Sequence, residues 1–198
     1  MVAPFVWGSL ASGVADEVPN LKDGWYSIAA LDYNLRRHFI HGVTFGNVNG
    51  SRAQLLSNAP AGYIEAYRRA LLFFKSYRHL LFCDVWHPDL ADPANWSAIQ
   101  YTSDDASESV LFVFRHEGGR AGNTVRLKAL DPQKTYVLTS LNEPGGREKR
   151  MAGDVLMRDG IQVSLPHEWL GKGDGLDKRY ENQLGYGSDI ILIRSQGR

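Results

Sequence analysis

Between Trp96 and Pro166 the chain alternates short apolar and β-branched runs with turn residues, at roughly the spacing of sandwich strands. That rhythm excludes a doubly wound parallel sheet, which needs a helix between successive strands. Ser97 to Thr102 predicts one strand and Glu108 to Arg115 the next, with Asp104-Asp105 in the turn between them. In the second strand Val110, Phe112 and Phe114 share one face, and Leu111 and Val113 share the other. Both faces are apolar, so this strand is predicted to be buried on both sides. Gly118, Gly119 and Gly122 mark a loop. Val125 to Leu130 and Thr135 to Leu141, joined by Asp131-Pro132-Gln133-Lys134, predict an antiparallel hairpin. Gly153 to Asp159 predicts a short helical turn before a strand from Ile161 to Leu165. A polar, Gly-rich loop from His167 to Gly187 leads into a closing strand from Asp189 to Arg194.

The stretch before this train has a different period. From Ala61 to about Leu81, Ile64, Tyr67, Leu71 and Phe74 recur at helical spacing. Tyr63, Ala66, Ala70, Phe73, Tyr77 and Leu80 form an adjacent stripe, so the helix is predicted to make contacts on more than one side. A further helix over Ile28, Leu31, Leu35 and Phe39 is predicted to start at Asp23 or Ser27, and Gly42 and Gly46 end it. Cys83 to Asn95, with His87-Pro88 and Asp92-Pro93, reads as a linker. The expected organisation is α+β, with a helical segment over residues 1–82 and an antiparallel β-sandwich over residues 83–198.

Composition narrows the function classes. Lys plus Arg and Asp plus Glu each number 22, a balance that argues against nucleic-acid binding through a basic surface. No apolar run is long enough for a membrane helix. The single cysteine, Cys83, excludes an internal disulfide and suits a reducing compartment; with no signal peptide read at the start, a cytoplasmic location is expected. The sequons at Asn49 and Asn95 are then chance matches.

Three blocks carry a family resemblance. The first is Trp7-Gly8-Ser9 followed by Pro19-Asn20. The second is Phe74-Lys75-Ser76-Tyr77-Arg78. The third runs through Gln100-Tyr101, Val113-Phe114-Arg115, Leu130-Asp131-Pro132, Tyr136 and Gly153-Asp154-Val155-Leu156-Met157 with Gly160. In this order they resemble the C-terminal portion of family 36 glycoside hydrolases, the α-galactosidase (melibiase) group. The resemblance implies the last β/α element of a TIM barrel followed by a β-sandwich. It also implies a complete enzyme that hydrolyses α-galactosides with retention, without metal or other cofactor. The two catalytic aspartates of that family lie on earlier barrel strands, and no residue here is expected to replace them. Retaining enzymes need two carboxyl groups about 5 Å apart. Trp7, Gly8 and Ser9 are the candidate substrate-binding residues, at the end of what resembles a barrel strand. The chain departs from the family pattern at Leu10, where His is favoured.

Other candidates have plainer readings. Asp104, Asp105 and Glu108 are the densest acidic cluster, and turn chemistry is the expected role. Asp84, His87, Asp89 and Asp92 lack metal-ligand spacing. Cys83 is expected as a buried small side chain rather than a nucleophile. His38 and His41 suit a helix end or the surface, and Gly171 to Gly175 lacks phosphate-loop spacing. Arg68, Arg69, Lys75, Arg78 and His79 form a solvated basic face, with Lys75 and Arg78 able to pin the helix to the sandwich. Trp86, Trp96 and Trp169 suit either a carbohydrate platform or the interface between helices and sheet. Three functions remain open: a non-catalytic enzyme portion that needs a barrel, a free-standing carbohydrate-binding module, and a self-associating structural protein. Leu71, Phe73 and Phe74 are expected to be exposed and to seek a partner, either the missing barrel or a second copy.

Overall fold

The computed structural model describes residues 36, 39, 40, 62–116, 119–143, 148–165 and 187–196. Helix α1 spans Tyr63–Tyr77 and tightens into a 3-10 turn at Arg78–Phe82. The strands are β1 Asp84–Trp86, β2 Asp89–Leu90, β3 Trp96–Thr102, β4 Glu108–Arg115, β5 Gly122–Arg126, β6 Thr135–Ser140, β7 Lys149–Ala152, β8 Ile161–Ser164 and β9 Gly187–Ser195. A short helix α2, Gly153–Arg158, lies between β7 and β8. The strands form two antiparallel sheets: six strands in the order β1-β3-β4-β9-β6-β7 and three in the order β2-β5-β8.

The expected antiparallel sandwich is therefore present, and β4 has the predicted two-sided burial. Leu111 and Val113 point into a core shared with Val125, Ile161 and Val163 of the small sheet. Val110, Phe112 and Phe114 point the other way, into a core shared with Ala66, Ala70, Tyr77 and Leu80 of α1 and its 3-10 turn. The described residues thus form three layers: helix, large sheet, small sheet. Each fully buried side chain of Phe112's class stabilises this arrangement by about 1.5–3 kcal/mol. Aromatic edges continue the contact between layers. Phe39 meets Phe74 with ring centroids 5.0 Å apart, Phe74 meets Tyr77 at 5.6 Å, and Tyr77 meets Phe112 at 5.6 Å.

Several expectations are corrected. The predicted hairpin between Val125–Leu130 and Thr135–Leu141 does not form. Strand β5 ends at Arg126 and pairs with β2 and β8, whereas β6 pairs with β7 and β9 in the other sheet. Residues 127–130 cross between the sheets, and Ala129 takes φ 50° on the way. The predicted linker contains β1 and β2, which edge the two sheets. Strand β7, with its charged Lys149 and Arg150, has no apolar alternation to announce it. Leu71, Phe73 and Phe74 are half-buried against the helix–sheet core; the exposed apolar residues of α1 are Ile64 and Leu72. Trp96 is buried in the core between the two sheets rather than between helix and sheet.

Candidate functional site

Trp7, Gly8, Ser9, His38, His41, Trp169 and Gly171 to Gly175 lie outside the described residues. The acidic cluster falls in the β3–β4 turn as expected. Asp105 Oδ1 accepts the Ser107 N–H at 2.9 Å and the Ser103 hydroxyl at 2.8 Å. These bonds hold its carboxyl down at about 2. Glu108 is occupied elsewhere: one carboxylate oxygen meets His79 Nε2 at 2.6 Å and the other accepts from Arg194 Nε at 2.9 Å. No carboxylate pair of the glycosidase kind arises from this cluster. Arg194 also donates to the Ser76 carbonyl at 3.0 Å. Arg194 and His79 thus fasten the end of α1 to the sheet, the role expected of Lys75 and Arg78, whose side chains are exposed.

Cys83 is half-buried, its thiol 3.9 Å from the His79 carbonyl. Burial first, then the charges of Asp104, Asp84 and Asp105, push the thiol pKa up. Such a thiol stays protonated and is a poor nucleophile. Among the described residues no three His, Cys, Asp or Glu side chains converge as a metal site. Asp89 pairs with Lys128, and Asp92 is held by Asn95.

Two depressions lie on the described part of the sandwich. The first is a polar trough of about 500 Å³ at the β2–β5–β8 side. Asp92, Asn95, Arg120, Asn123, Thr124 and Gln162 supply its polar groups. The second, about 320 Å³, lies between β6 and β8 beside the buried carboxylate of Asp189. Asp189 accepts from Ser140 Oγ at 2.6 Å, Ile190 N at 2.8 Å and Asn142 N at 3.3 Å. Burial nonetheless raises its pKa, against the opposing effects of these bonds and of Arg36. Neither depression was legible in the sequence, because each joins residues whose strands pair across long separations.

A third feature is apolar. Phe82 is 94% exposed, and Val85 and Trp86 of the edge strand β1 are also exposed. The opposite edge of the same sheet, β7, carries Lys149 and Arg150. Charged edge strands resist pairing with another sheet, and the three-residue β1 edge has only Asp84 for that protection. No helix of the described residues is long and apolar enough to cross a membrane.

Residues 96–183 match the glycosyl hydrolase family 36 C-terminal domain. A probable alpha-galactosidase C of Aspergillus flavus is 30% identical over 102 residues, 50% of this chain and 13% of that protein. Alpha-galactosidase 2 of Hypocrea jecorina is 29% identical over 98 residues, 48% of this chain and 12% of that protein. The chain thus spans only a small part of the curated relatives it matches. The GH36 alpha-galactosidase AgaB of Geobacillus stearothermophilus shares the fold with a TM-score of 0.51 at 18% identity, over 86% of this chain and 25% of its own. A variant of AgaA from the same organism, solved in complex with raffinose, gives 0.50 at 20% identity, over 71% of this chain and 17% of its own. The sandwich expected from the strand rhythm is a fold shared with these enzymes. Residues 96–183 thus match a family 36 C-terminal domain, and the chain is similar to the C-terminal portion of such enzymes.

Proposed function

We propose that this chain is the supporting, non-catalytic portion of an α-galactosidase of family 36 type. It braces a barrel through α1, and Trp7, Gly8 and Ser9 contribute to the sugar pocket of the assembled enzyme. In this reading residues 1–82 complete the barrel and residues 83–198 form the sandwich behind it. The observation that carries the reading is the family match together with the burial of one face of α1 on the large sheet, while Ile64 and Leu72 remain exposed on the helix. An exposed apolar helix surface attached to a completed sandwich suits a further layer.

The test is complementation. A family 36 α-galactosidase truncated before its matching C-terminal portion is mixed with this chain, and hydrolysis of p-nitrophenyl α-galactoside is followed. The chain alone is expected to be inactive, and the mixture to recover turnover. Turnover by the chain alone, or no recovery and no complex, would overturn the reading.

Self-association is the second reading, favoured by the β1 edge, where Val85 and Trp86 are exposed next to Phe82. Sedimentation velocity of the chain across a concentration series distinguishes it, since a monomer at all concentrations rules it out.

A further inference from the structure

The two sheets of the sandwich differ in width, and the step between them leaves one strand edge recessed. The large sheet continues from β9 to β6 and β7, whereas the small sheet stops at β8. Among the described residues β8 pairs only with β5, and Ile161 to Ser164 make no other backbone hydrogen bond. Alternate residues of such an edge strand turn their N–H and C=O groups outward, where a further strand can meet them.

The cavity of about 320 Å³ lies along that edge. Every residue of β8 lines it, those facing the core and those facing solvent alike, and no residue of β5 does. Its other wall is the inter-sheet face of the large sheet, with Leu138 and Ser140 of β6 and Asp189 and Ile191 of β9. Helix α2 fills the step at the start of β6, where Gly153 lies against Tyr136. The cavity is what remains of the step at the end of β6.

The space fits one extended segment. A strand added to β8 would stand about 5 Å from it and about 10 Å above β6, the ordinary spacings within and between sheets. One row of its side chains would enter the cavity over Leu138 and Ile191, and the other would lie beside the exposed Gln162 and Ser164. That is the alternation of β8 itself, whose residues are buried and exposed in turn. Asp189 needs no partner from the added strand, because Ser140, Asn142 and the Ile190 N–H already hold its carboxylate. The inward residues are therefore small and apolar, and the outward ones polar.

Charge distinguishes the two ends. Gly187 lies against Leu165, so the start of β9 and the paired end of β6 sit at the C-terminal end of β8. Glu143 lines the cavity at this end, and Lys149, which pairs with Leu138, lines it toward the other. Both side chains are exposed, and neither has an ion-pair partner among the described residues. An antiparallel segment would begin beside Glu143 and end beside Lys149. Antiparallel pairing with β8 of a second copy does not fit. Strands β6 and β7 project past β8 by about 10 Å, and the matching strands of the copy would claim the same space. We propose that the recessed edge of β8 is a strand-addition site for an extended segment of a partner protein, with small apolar residues alternating with polar ones, a basic residue at its N-terminal end and an acidic one at its C-terminal end. The site rests on the two sheets alone and goes beyond the bracing function.

The experiment uses the whole 198-residue chain, labelled with ¹⁵N. The probe is the end-capped peptide Lys-Val-Thr-Val-Glu, titrated at low salt. Saturable amide shifts are expected along β8 and at the end of β6, with a dissociation constant of about 1 mM. Of two forms of the peptide N-methylated on alternate residues, in opposite phase, only the one whose methyl groups face β8 is expected to lose binding. Glu143→Lys, at an exposed position, is expected to weaken binding by up to about fivefold without lowering the melting temperature. An unchanged affinity in this variant would overturn the assignment of the basic end. Absence of saturable shifts at about 5 mM peptide, shifts confined to residues outside β6, β8 and β9, or equal binding by both N-methylated forms would overturn the site. The same shifts on concentrating the chain without peptide would also overturn it, because the edge would then take a second copy. Barrel complementation has no bearing on these readouts, so the two readings fail independently.

Discussion

The Gln100 side chain clamps the backbone of Lys128 from both sides: its Nε2 donates to the Lys128 carbonyl at 2.7 Å, and its Oε1 accepts the Lys128 N–H at 2.9 Å. Gln100 is fully buried on β3 of the large sheet, and Lys128 lies in the segment that leaves the small sheet. The amide also reaches Thr102 Oγ1 and Ser109 Oγ. This one side chain joins the sheets where the chain crosses between them.

Gln100→Leu is therefore expected to destabilise the fold by about 2–4 kcal/mol, because it strands two backbone groups of Lys128 at once. Urea unfolding checks the magnitude. A loss below about half a kcal/mol would mean that the crossing is held by other contacts.

Gly153 begins α2 against the β5–β6 crossing. A Cβ at this position would overlap the Asp131 carbonyl oxygen and stand 3.0 Å from Tyr136 Cε2. Gly153→Ala is expected to cost about 1–3 kcal/mol, as overpacking does. Loss of near-ultraviolet dichroism from Tyr136 would accompany it.

Ala106 occupies the β3–β4 turn with φ 51°, a left-handed conformation that carries a penalty for any residue with a Cβ. Ala106→Gly is expected to stabilise the protein by about 0.5–1 kcal/mol. The Tyr136 hydroxyl, which donates to the Ala106 carbonyl at 2.7 Å, keeps its acceptor in this variant. A lowered melting temperature would contradict the expectation.

Asp189 predicts a pH dependence. Its pKa in the folded chain lies above 3.8, chiefly through burial, so the folded state binds the proton more tightly than the unfolded chain does. Its contribution to stability therefore falls as pH rises from about 4 through the raised pKa, and is constant above it. Asp189→Asn removes that slope, and the variant gains on the wild type as pH rises through this window. Parallel stability curves from acid to neutral pH would show that Asp189 is not the group responsible.

Phe82 is almost wholly exposed, so Phe82→Asp is expected to leave the melting temperature within about 2 °C of the wild type. It should also abolish any association through the β1 edge, read as a shift to monomer in sedimentation. Unchanged association would place the contact elsewhere.

The sandwich and the double burial of β4 were legible because Val110 to Phe114 is apolar at every position, a pattern few other environments tolerate. The Asp104-Asp105 turn was legible because the chemistry of Asp in turns is local. The pairing of β5 was not, since a four-residue connection to β6 has all the local marks of a hairpin. What overrides them is the clamp of Gln100 on Lys128, 28 residues away in sequence. The same long-range pairing gathers Asp92, Asn123 and Gln162, so the trough left no sequence motif. Strand β7 escaped notice because Lys149 and Arg150 face solvent on an edge, where no apolar alternation is needed. The residues singled out for sugar contact, Trp7, Gly8 and Ser9, rest on resemblance alone.

The unequal edges of the six-stranded sheet set a limit on assembly. Among the described residues, β7 guards one edge of this sheet with Lys149 and Arg150, whereas β1 guards the other with the lone charge of Asp84. Copies joined through β1 would leave only the cationic β7 edges of this sheet facing outward, so pairing through it favours a two-fold pair over continued growth. The sheet is in this sense self-terminating, a property that matters for a β-rich chain made at high concentration.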